Sequence, residues 1–359
     1  MTGDLVTGSE APVLVRREGR AGFLVLNRPR VLNALTPEMV ALVDRALAAW
    51  EHDDGVRVVV LSGAGERGLC AGGDIRAIHD DALAGGTASA DFWRAEYRLN
   101  SRIAHYSKPY VALMDGMVMG GGVGVSAHGG VRVVTERSRV AMPETGIGFV
   151  PDVGGTWLLS RAPGHLGTHL ALTGAQAGAG DALLCGLADH HVPSAALPEL
   201  VADLAARPLR EALASHELPP PAGDLADRRH WIDACYDAPT VEEIVRRLEA
   251  YGDPAAKEAA ETLLGRSPTM LKVTLAALRR ARQLPTLESV LDQEYRVSCR
   301  ALTAPDLVEG IRAQVIDKDR TPHWTPRTLP EVTEADVERY FAPLGERELR
   351  LGGRELGEG

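Results

Sequence analysis

Short apolar runs alternate with helix-like segments through the first half of the chain, and this alternation constrains the fold most. The runs Val56–Leu61 and Tyr110–Met114 are apolar and contain β-branched residues, which predicts strands. The sequence Thr36-Pro37-Glu38 predicts the start of a helix, because Thr caps a helix, Pro suits its first position and an acid favours its positive end. Strands that alternate with helices are typical of the α/β class.

The other elements predict a first half that forms sheets and a second half that is helical. Further strands are predicted at Val13–Val15, Phe23–Leu26, Val131–Thr135 and Arg139–Ala141. From about Gly167 onward the pattern is mostly helical. Periodicity alone does not distinguish a doubly wound parallel sheet from a spiral of ββα units, so both arrangements stay open at this point.

Proline and glycine content predicts the domain boundaries. The run from Leu218 to Gly223 contains three consecutive prolines, which interrupt helices. We therefore expect a core over residues 11–200, a linker or long loop over 201–230 and a helical C-terminal region over 231–344. Residues 345–359 are charged and rich in glycine, and we expect this tail to fray.

Composition excludes several classes of partner. The net charge of −10 disfavours nucleic acid and anionic membranes as partners. Cys70, Cys185, Cys235 and Cys299 are scattered and form no C-x-x-C pair, which predicts neither a zinc site nor a disulfide framework and suits a reducing, cytoplasmic compartment. No targeting segment is recognised in Met1–Glu10, and no apolar run approaches the ~18 residues of a membrane span. The sequence does not fix the oligomeric state, so a homo-oligomer stays open.

The segment Met142–Gly155, here called the acid loop, is the strongest candidate for a functional site. It carries Glu144 and Asp152, eight positions apart among glycines and prolines. Such a segment makes a poor helix and a poor strand, because Gly costs backbone entropy and Pro removes a donor. Carboxylates on an irregular loop are more often functional than packing residues.

Two glycine-rich turns precede the acid loop, the first glycine turn at Cys70–Asp74 and the second glycine turn at Gly120–Gly124. Glycine lets a ligand approach the backbone N–H without a Cβ in the way. The second turn precedes a predicted helix start, where free N–H groups favour an anion. The two turns therefore predict donors that stabilise an oxyanion beside the acids.

Two tempting motifs favour other functions and are rejected. Gly63–Gly68 matches the dinucleotide pattern G-x-G-x-x-G, but a real fingerprint opens a helix at once, and Gly72 and Gly73 fall where that helix would run. Ser126 and His128 suggest a serine hydrolase, but the sequence lacks G-x-S-x-G, and residues two apart on a helix point to different faces. Both motifs are interpreted as structural.

The glycine turns and the acid loop together resemble the crotonase (enoyl-CoA hydratase/isomerase) superfamily, and within it the 3-hydroxyisobutyryl-CoA hydrolase branch. The resemblance extends from about Val13 to Leu344 and implies a crotonase-type spiral of ββα units with a helical C-terminal region. It rests on the segments Leu69–Ile75, Asp115–Gly124, Met142–Glu144 and Pro151–Gly155, supported by Glu96-Tyr97, Asp306–Gly310, Asp317–Asp319 and Pro322–Trp324.

The resemblance also implies roles for five residues. The backbone N–H groups of Gly73 and Gly121 would form the oxyanion hole. Glu144, which lies 23 positions after Gly121, would act as general base or as nucleophile, and the sequence does not separate these routes. Asp152 matches the second acid of the hydrolase branch, and Glu96 matches a substrate-binding position, with a plain helix-surface acid as the alternative.

The implied reaction is hydrolysis of a short 3-hydroxyacyl-CoA, with 3-hydroxyisobutyryl-CoA of valine catabolism as the expected substrate. No metal or other cofactor is expected, because CoA is part of the acyl-CoA substrate. One alternative is an enoyl-CoA hydratase/isomerase-type reaction, but many hydratases carry a second acid where this chain has Gly124. The other alternative is a non-catalytic acyl-CoA-binding protein, which the two acids disfavour.

Overall fold

The computed structural model describes residues 8–353 of the chain. Its strands, in chain order, are β1 (Val13–Glu18), β2 (Ala21–Leu26), β3 (Val58–Gly63), β4 (Gly68–Cys70), β5 (Tyr110–Met114), β6 (Met117–Met119), β7 (Val131–Val134), β8 (Arg139–Ala141) and β9 (His190–His191). Every strand predicted from the sequence is present, with bounds shifted by a few residues at most.

Helices lie between successive pairs of strands and dominate the second half of the chain. They are α1 (Pro37–Glu51), α2 (Ile75–Ala84), α3 (Ala88–Ala104), α4 (Gly121–Ser126), α5 (Gly155–Ser160), α6 (Leu166–Thr173), α7 (Ala179–Leu184), α8 (Leu197–Ala206), α9 (Leu209–His216), α10 (Leu225–Tyr236), α11 (Val241–Ala250), α12 (Pro254–Leu264), α13 (Pro268–Ala281), α14 (Leu287–Ala301), α15 (Pro305–Ile311) and α16 (Glu334–Phe341). None of the helices in the described part of the chain is long and apolar enough to cross a membrane.

The residues group into two compact units, each made of three chain segments. The first unit contains the residues up to Gly73 together with 98–140 and 177–223. The second unit contains residues 74–97, 141–176 and those from Asp224 onward. Both units are therefore assembled from segments far apart in the sequence.

The first unit is built on two sheets. The larger has the order β1-β2-β3-β5-β7-β9 and the smaller β4-β6-β8. Strands β1 and β2 form an antiparallel hairpin, whereas β2–β3, β3–β5, β5–β7 and β7–β9 pair in parallel. In the successive pairs β3/β4, β5/β6 and β7/β8 the first strand joins the large sheet and the second the small one, which confirms the ββα spiral.

Helices α8 and α9 cover one face of the large sheet, which corrects the predicted linker over 201–230. Leu200, Leu204 and Leu213 from these helices share a buried cluster with Phe23 and Val60 from the sheet. Apolar burial of this kind contributes about 1.5–3 kcal/mol per large side chain, enough to order the segment. Within 201–230 only residues 207–208 and residues 217–224, around the three prolines, are irregular.

The second unit is mostly helical, as expected for the C-terminal region. Helix α13 packs on α5, α6 and α16, and α14 packs on α5 and α16. Ser267 and Thr286 cap the N-termini of α13 and α14 through their side chains. The acid loop and the C-terminal helices therefore belong to the same compact unit.

The expectation that the tail frays from residue 345 is wrong for the described residues 345–353. Leu349 is buried, and the N–H groups of Leu351 and Gly352 donate to the Asp292 carboxylate at 2.8 and 2.9 Å. The guanidinium of Arg94 donates to the carbonyl of Glu348 at 3.0 Å. These contacts hold the segment, and residues 354–359 lie outside the described part of the chain.

Candidate active site

The first glycine turn follows the end of β4 in the first unit. Gly72 has a φ of +104°, a conformation that suits glycine. Its carbonyl accepts a hydrogen bond from the Leu35 N–H at 2.8 Å, and Gly73 forms an isolated bridge with Leu35. The structure thus places the candidate oxyanion donor Gly73 on a turn that is tied to the neighbouring chain.

The second glycine turn begins helix α4, with Gly121 as the first helical residue. A Cβ on Gly72 would lie 3.5 Å from the Gly121 nitrogen, and a Cβ on Gly122 would lie 2.6 Å from the Cys70 carbonyl oxygen. The two glycine turns are therefore packed against each other. A first helical residue has no acceptor for its N–H within its own helix, so Gly121 offers a donor beside the first turn.

The acid loop lies in the second unit and has an irregular backbone. Glu144 starts a short 3₁₀ turn, Glu144–Ile147, and Phe149, near its end, stacks on Trp93 with ring centroids 5.3 Å apart. Val153 has a φ of +52°, which costs about 1–3 kcal/mol for a residue other than glycine. Such strain persists only where the surroundings impose it, and it is common at functional sites.

The three predicted acids are all buried in the second unit. Glu96 is 2% exposed, Asp152 5% and Glu144 6%. Burial shows that the alternative of Glu96 as a surface acid is wrong. The Oε1 atom of Glu96 and the Oε2 atom of Glu144 have no hydrogen-bond partner among the described residues. Unpaired buried oxygens are costly, and they mark these side chains as candidates for contacting a substrate.

Tyr97 holds Asp152 in place. Its hydroxyl donates to the Asp152 Oδ2 atom at 2.7 Å and lies 2.9 Å from the Ser298 Oγ atom. Because the Tyr97 proton goes to Asp152, the Ser298 hydroxyl is the donor to Tyr97. Asp152 is thereby fixed by a chain of two hydrogen bonds that runs from α14 through α3.

Burial of these acids raises their pKa values. Loss of solvation, followed by the charge of Asp152, raises the pKa of Glu96 and of Glu144 well above 4.5. Burial raises the pKa of Asp152 from 3.8 to about 7, while the hydrogen bond from Tyr97 opposes the rise. Like charges that share a low-dielectric site disfavour one another's ionisation. Asp152 can therefore exchange a proton near neutral pH, and ionisation of Glu96 and Glu144 is unfavourable beside it.

Ser126 and the segment Gly63–Gly68, which the sequence analysis interprets as structural, have structural roles in the fold. Ser126 is buried, and its hydroxyl donates to the Gly122 carbonyl at 2.6 Å within α4. After Gly63–Gly68 the chain forms strand β4 rather than a helix, so the dinucleotide fingerprint is absent there. Within residues 8–353 no group of three or more His, Cys, Asp or Glu side chains is arranged to hold a metal ion.

Glu294 of α14 is a buried acid that the sequence reasoning missed. It is 1% exposed and accepts hydrogen bonds from the residues that follow Asp152 (Gly154 and Thr156). The sequence did contain a signal for Glu294, because Glu294 and Ser298 lie at helical spacing from Leu287 and Leu291 on the buried face of α14. A charged residue on an otherwise apolar helical stripe indicates a partner elsewhere in the fold.

Comparisons with known proteins find similarity over most of the chain. A family model described as enoyl-CoA hydratase/isomerase matches residues 21–341. The 3-hydroxyisobutyryl-CoA hydrolase, mitochondrial, of Gallus gallus is 43% identical over 96% of this chain and 92% of its own length. The Homo sapiens protein of the same name is 41% identical over the same shares.

Solved structures with similar folds carry other names. A carnitinyl-CoA dehydratase from Mycobacterium thermoresistibile is 56% identical, with a TM-score of 0.92, and the match covers 95% of this chain and 98% of that one. An enoyl-CoA hydratase from Rhodobacter sphaeroides 2.4.1 is 46% identical, with a TM-score of 0.89 and coverage of 94% and 99%.

Proposed function

Because the chain belongs to the enoyl-CoA hydratase/isomerase family, we propose that it hydrolyses the thioester of a short 3-hydroxyacyl-CoA. The expected substrate is 3-hydroxyisobutyryl-CoA, an intermediate of valine catabolism, and the products are 3-hydroxyisobutyrate and CoA. The observation that carries the proposal is the pair of buried acids on the acid loop, Glu144 and Asp152. Relatives at 41–43% identity that are named as this hydrolase support it.

We assign the first step to the two glycine turns. The N–H groups of Gly73 and Gly121 would donate to the thioester carbonyl oxygen, which gains negative charge when the carbonyl carbon is attacked. One donor of this kind typically lowers the barrier by about 2.7–4 kcal/mol. The close packing of the two turns supports the assignment, because two donors must converge on one oxygen.

Glu144 would drive the attack by one of two routes. As general base it takes a proton from water, whose oxygen bonds to the acyl carbon while the C–S bond breaks and the thiolate leaves. As nucleophile its carboxylate attacks the acyl carbon and forms an anhydride while the C–S bond breaks and the CoA thiolate leaves. Water then hydrolyses the anhydride to the free acid and the Glu144 carboxylate. The unpaired Oε2 atom of Glu144 is available for either role, and Asp152 would orient the water or the substrate.

Glu96 would select the substrate through its 3-hydroxyl group. A hydroxyl donates one hydrogen bond and a carboxylate oxygen accepts it. The Oε1 atom of Glu96 is buried and has no partner among the described residues. A substrate hydroxyl would satisfy this oxygen, whereas an acyl group without the hydroxyl would leave it unpaired.

A thiol-release assay tests the proposal. Free CoA is measured with 3-hydroxyisobutyryl-, 3-hydroxypropionyl-, isobutyryl- and crotonyl-CoA, for the natural chain, Glu144→Gln and the control Glu338→Gln, an exposed acid of α16. We expect release from the hydroxylated substrates by the natural chain and the control only. No release from any substrate would refute the function. A single turnover in heavy-oxygen water separates the routes, since label in Glu144 itself supports the nucleophile.

A second candidate is hydration or dehydration of an acyl-CoA, which the names of the two similar structures favour. Against it, position 124 is glycine, whereas many hydratases carry their second acid there. The same assay discriminates, because hydration consumes the conjugated double bond of crotonyl-CoA without releasing thiol.

The reaction as proposed needs no cofactor, and we propose a reducing, cytoplasmic location. The supporting observation is that Cys70, Cys185, Cys235 and Cys299 are all free thiols. The names of the relatives place those proteins in mitochondria. Fractionation of cells that express the full chain tests the location, and light scattering of the purified chain tests whether it forms a homo-oligomer.

A further inference from the structure

Glu294 joins helix α14 to the acid loop through three hydrogen bonds. Its Oε2 atom accepts from the Gly154 N–H at 2.6 Å. Its Oε1 atom accepts from the Thr156 N–H at 2.9 Å and from the Thr156 hydroxyl at 2.5 Å. In each of these three hydrogen bonds the Glu294 carboxylate is the acceptor, and both of its oxygens accept at least one.

The backbone after Asp152 needs such an acceptor. Val153 and Gly154 have φ values of +52° and +78°, and successive N–H groups in such a turn point into one concavity that attracts an anion. The Gly155 N–H bonds back to the Asp152 carbonyl at 2.6 Å. Glu294 thus closes the turn whose first residue is the second candidate acid.

Helix α14 reaches the same acid by a second path. Ser298 lies one helical turn after Glu294, on the same face, and it binds the Tyr97 hydroxyl that donates to Asp152. The carboxylate side chain of Asp152 and the backbone that carries it are therefore both held from α14.

We propose that Glu294 is a positioning residue of the reaction, whose carboxylate fixes the turn at residues 152–156 and so aims Asp152 at the reacting atoms. The inference rests on the proposed function for its kinetic consequence. Its structural part, the anchoring of the turn, is independent of which reaction the protein catalyses.

Glu294 also acts on the acid loop through its charge. Asp152 and Glu144 on the loop and Tyr97 on α3 are the titratable groups coupled to it. After burial and the charge of Asp152, the charge of Glu294 contributes to the raised pKa of Glu144. Burial raises the pKa of Glu294 itself to about 8, against the hydrogen bonds from Thr156 and Gly154. Removal of its charge would therefore lower the pKa of Glu144 only where Glu294 is ionised, at and above about pH 8, which a side chain with only a packing role would not do.

The experiment compares Glu294→Gln with a matched control on the same helix, Asp292→Asn. Asp292 also accepts two backbone N–H groups, those of Leu351 and Gly352, but they belong to the C-terminal segment. Glutamine keeps the size of Glu294 but presents an NH₂ group to at least one of the three donors. The measurements are kcat and KM for 3-hydroxyisobutyryl-CoA, the pH dependence of kcat/KM, and amide hydrogen exchange of the acid loop.

We expect Glu294→Gln to lower kcat by about 10- to 100-fold, the scale of a small misplacement of a reacting group, with KM changed much less. The pH dependence of kcat/KM should change only at and above about pH 8, where Glu294 ionises, and exchange should rise at residues 152–157. Asp292→Asn should keep kcat and the pH profile of kcat/KM, and it should raise exchange only near residues 349–353.

Unchanged kcat together with unchanged exchange at residues 152–157 in Glu294→Gln would overturn the inference. If Glu294→Gln does not fold, Thr156→Val tests the inference instead, because it removes one of the three hydrogen-bond donors and preserves the side-chain shape. We expect faster exchange at residues 152–157 and a smaller loss of kcat than in Glu294→Gln. Exchange and kcat equal to those of the natural chain would refute the anchoring role. Absence of thiol release by the natural chain would instead refute the proposed function, and the exchange measurement would still test the anchoring.

Discussion

Replacement of Asp152 by asparagine should make the protein more stable and less active, and the gain in stability should depend on pH. Asn keeps the shape of the side chain and can still accept the hydrogen bond from Tyr97, but it cannot ionise. Asp152 is 5% exposed, and burial raises its pKa from 3.8 to about 7. Ionisation of Asp152 is therefore unfavourable in the folded protein.

The magnitude follows from the shift of about 3 pKa units. Below pH 3.8 the side chain is protonated in the folded and the unfolded chain, and its contribution to stability is fully present. Between pH 3.8 and 7 the unfolded chain loses the proton first, so stability falls as pH rises through the folded pKa. At about 1.36 kcal/mol per unit, the loss approaches about 4 kcal/mol by pH 8, and Asn avoids it.

The assay measures urea unfolding of the natural chain and of Asp152→Asn at pH 4 and pH 8. Tryptophan fluorescence monitors the unfolding. The variant's advantage in the free energy of unfolding should be larger at pH 8 than at pH 4 by about 2–4 kcal/mol. Asp189→Asn is a control of opposite sign: burial acts to raise the pKa of Asp189, but hydrogen bonds and the charge of Arg132 lower it overall, so this variant should lose stability at pH 8. Equal advantage of Asp152→Asn at both pH values would refute the reasoning.

Further variants test the other site residues. Glu144→Gln should lower kcat by at least ~10², the scale of a lost general base, while CoA binding measured by calorimetry survives; near-natural turnover would contradict the assignment. Gly121→Pro removes one N–H at a first helical position, where proline is tolerated, so kcat should fall about 10²- to 10³-fold in a protein with a natural circular dichroism spectrum. Retained kcat would show that this N–H does not meet the thioester oxygen. Glu96→Ala should lower activity on 3-hydroxyisobutyryl-CoA and leave activity on isobutyryl-CoA unchanged or higher; an equal response of both substrates in the thiol assay would rule out hydroxyl binding.

Local signals in the sequence predicted those elements that depend on local chemistry. The Thr36 side chain accepts from the Met39 N–H at 3.3 Å, as an N-cap should, and α1 begins at Pro37. The glycine turns and the acid loop are likewise short segments whose composition alone disfavours regular structure. The predicted linker over 201–230 was wrong because irregular structure was inferred from Pro219–Pro221 for the neighbouring residues as well. Those residues form parts of α8 and α9, which are ordered by apolar contacts with a sheet that is distant in sequence.

The parts of the site that the sequence did not reveal depend on contacts between distant segments. Tyr97 and Asp152 are 55 positions apart, Tyr97 and Ser298 are 201 apart, and Gly154 and Glu294 are 140 apart. No local pattern sets these pairings, because they arise only when α3, α14 and the acid loop fold into one unit. The order of residues 345–353 was missed for the same reason, since Asp292 and Arg94 supply the contacts.

The buried acids oppose folding, and the same property suits them to catalysis. Each carboxyl whose pKa is raised by burial lowers stability at neutral pH, yet a base with a pKa near the working pH is an efficient proton acceptor. Glu144 and Glu96 both respond to the charge of Asp152, so ionisation of Asp152 makes ionisation of the other two less favourable. Neutralising Asp152 should therefore lower the pKa of both Glu144 and Glu96. A stabilised variant that keeps all three acids must gain its stability elsewhere, for example in the cover that α8 and α9 provide for the sheet.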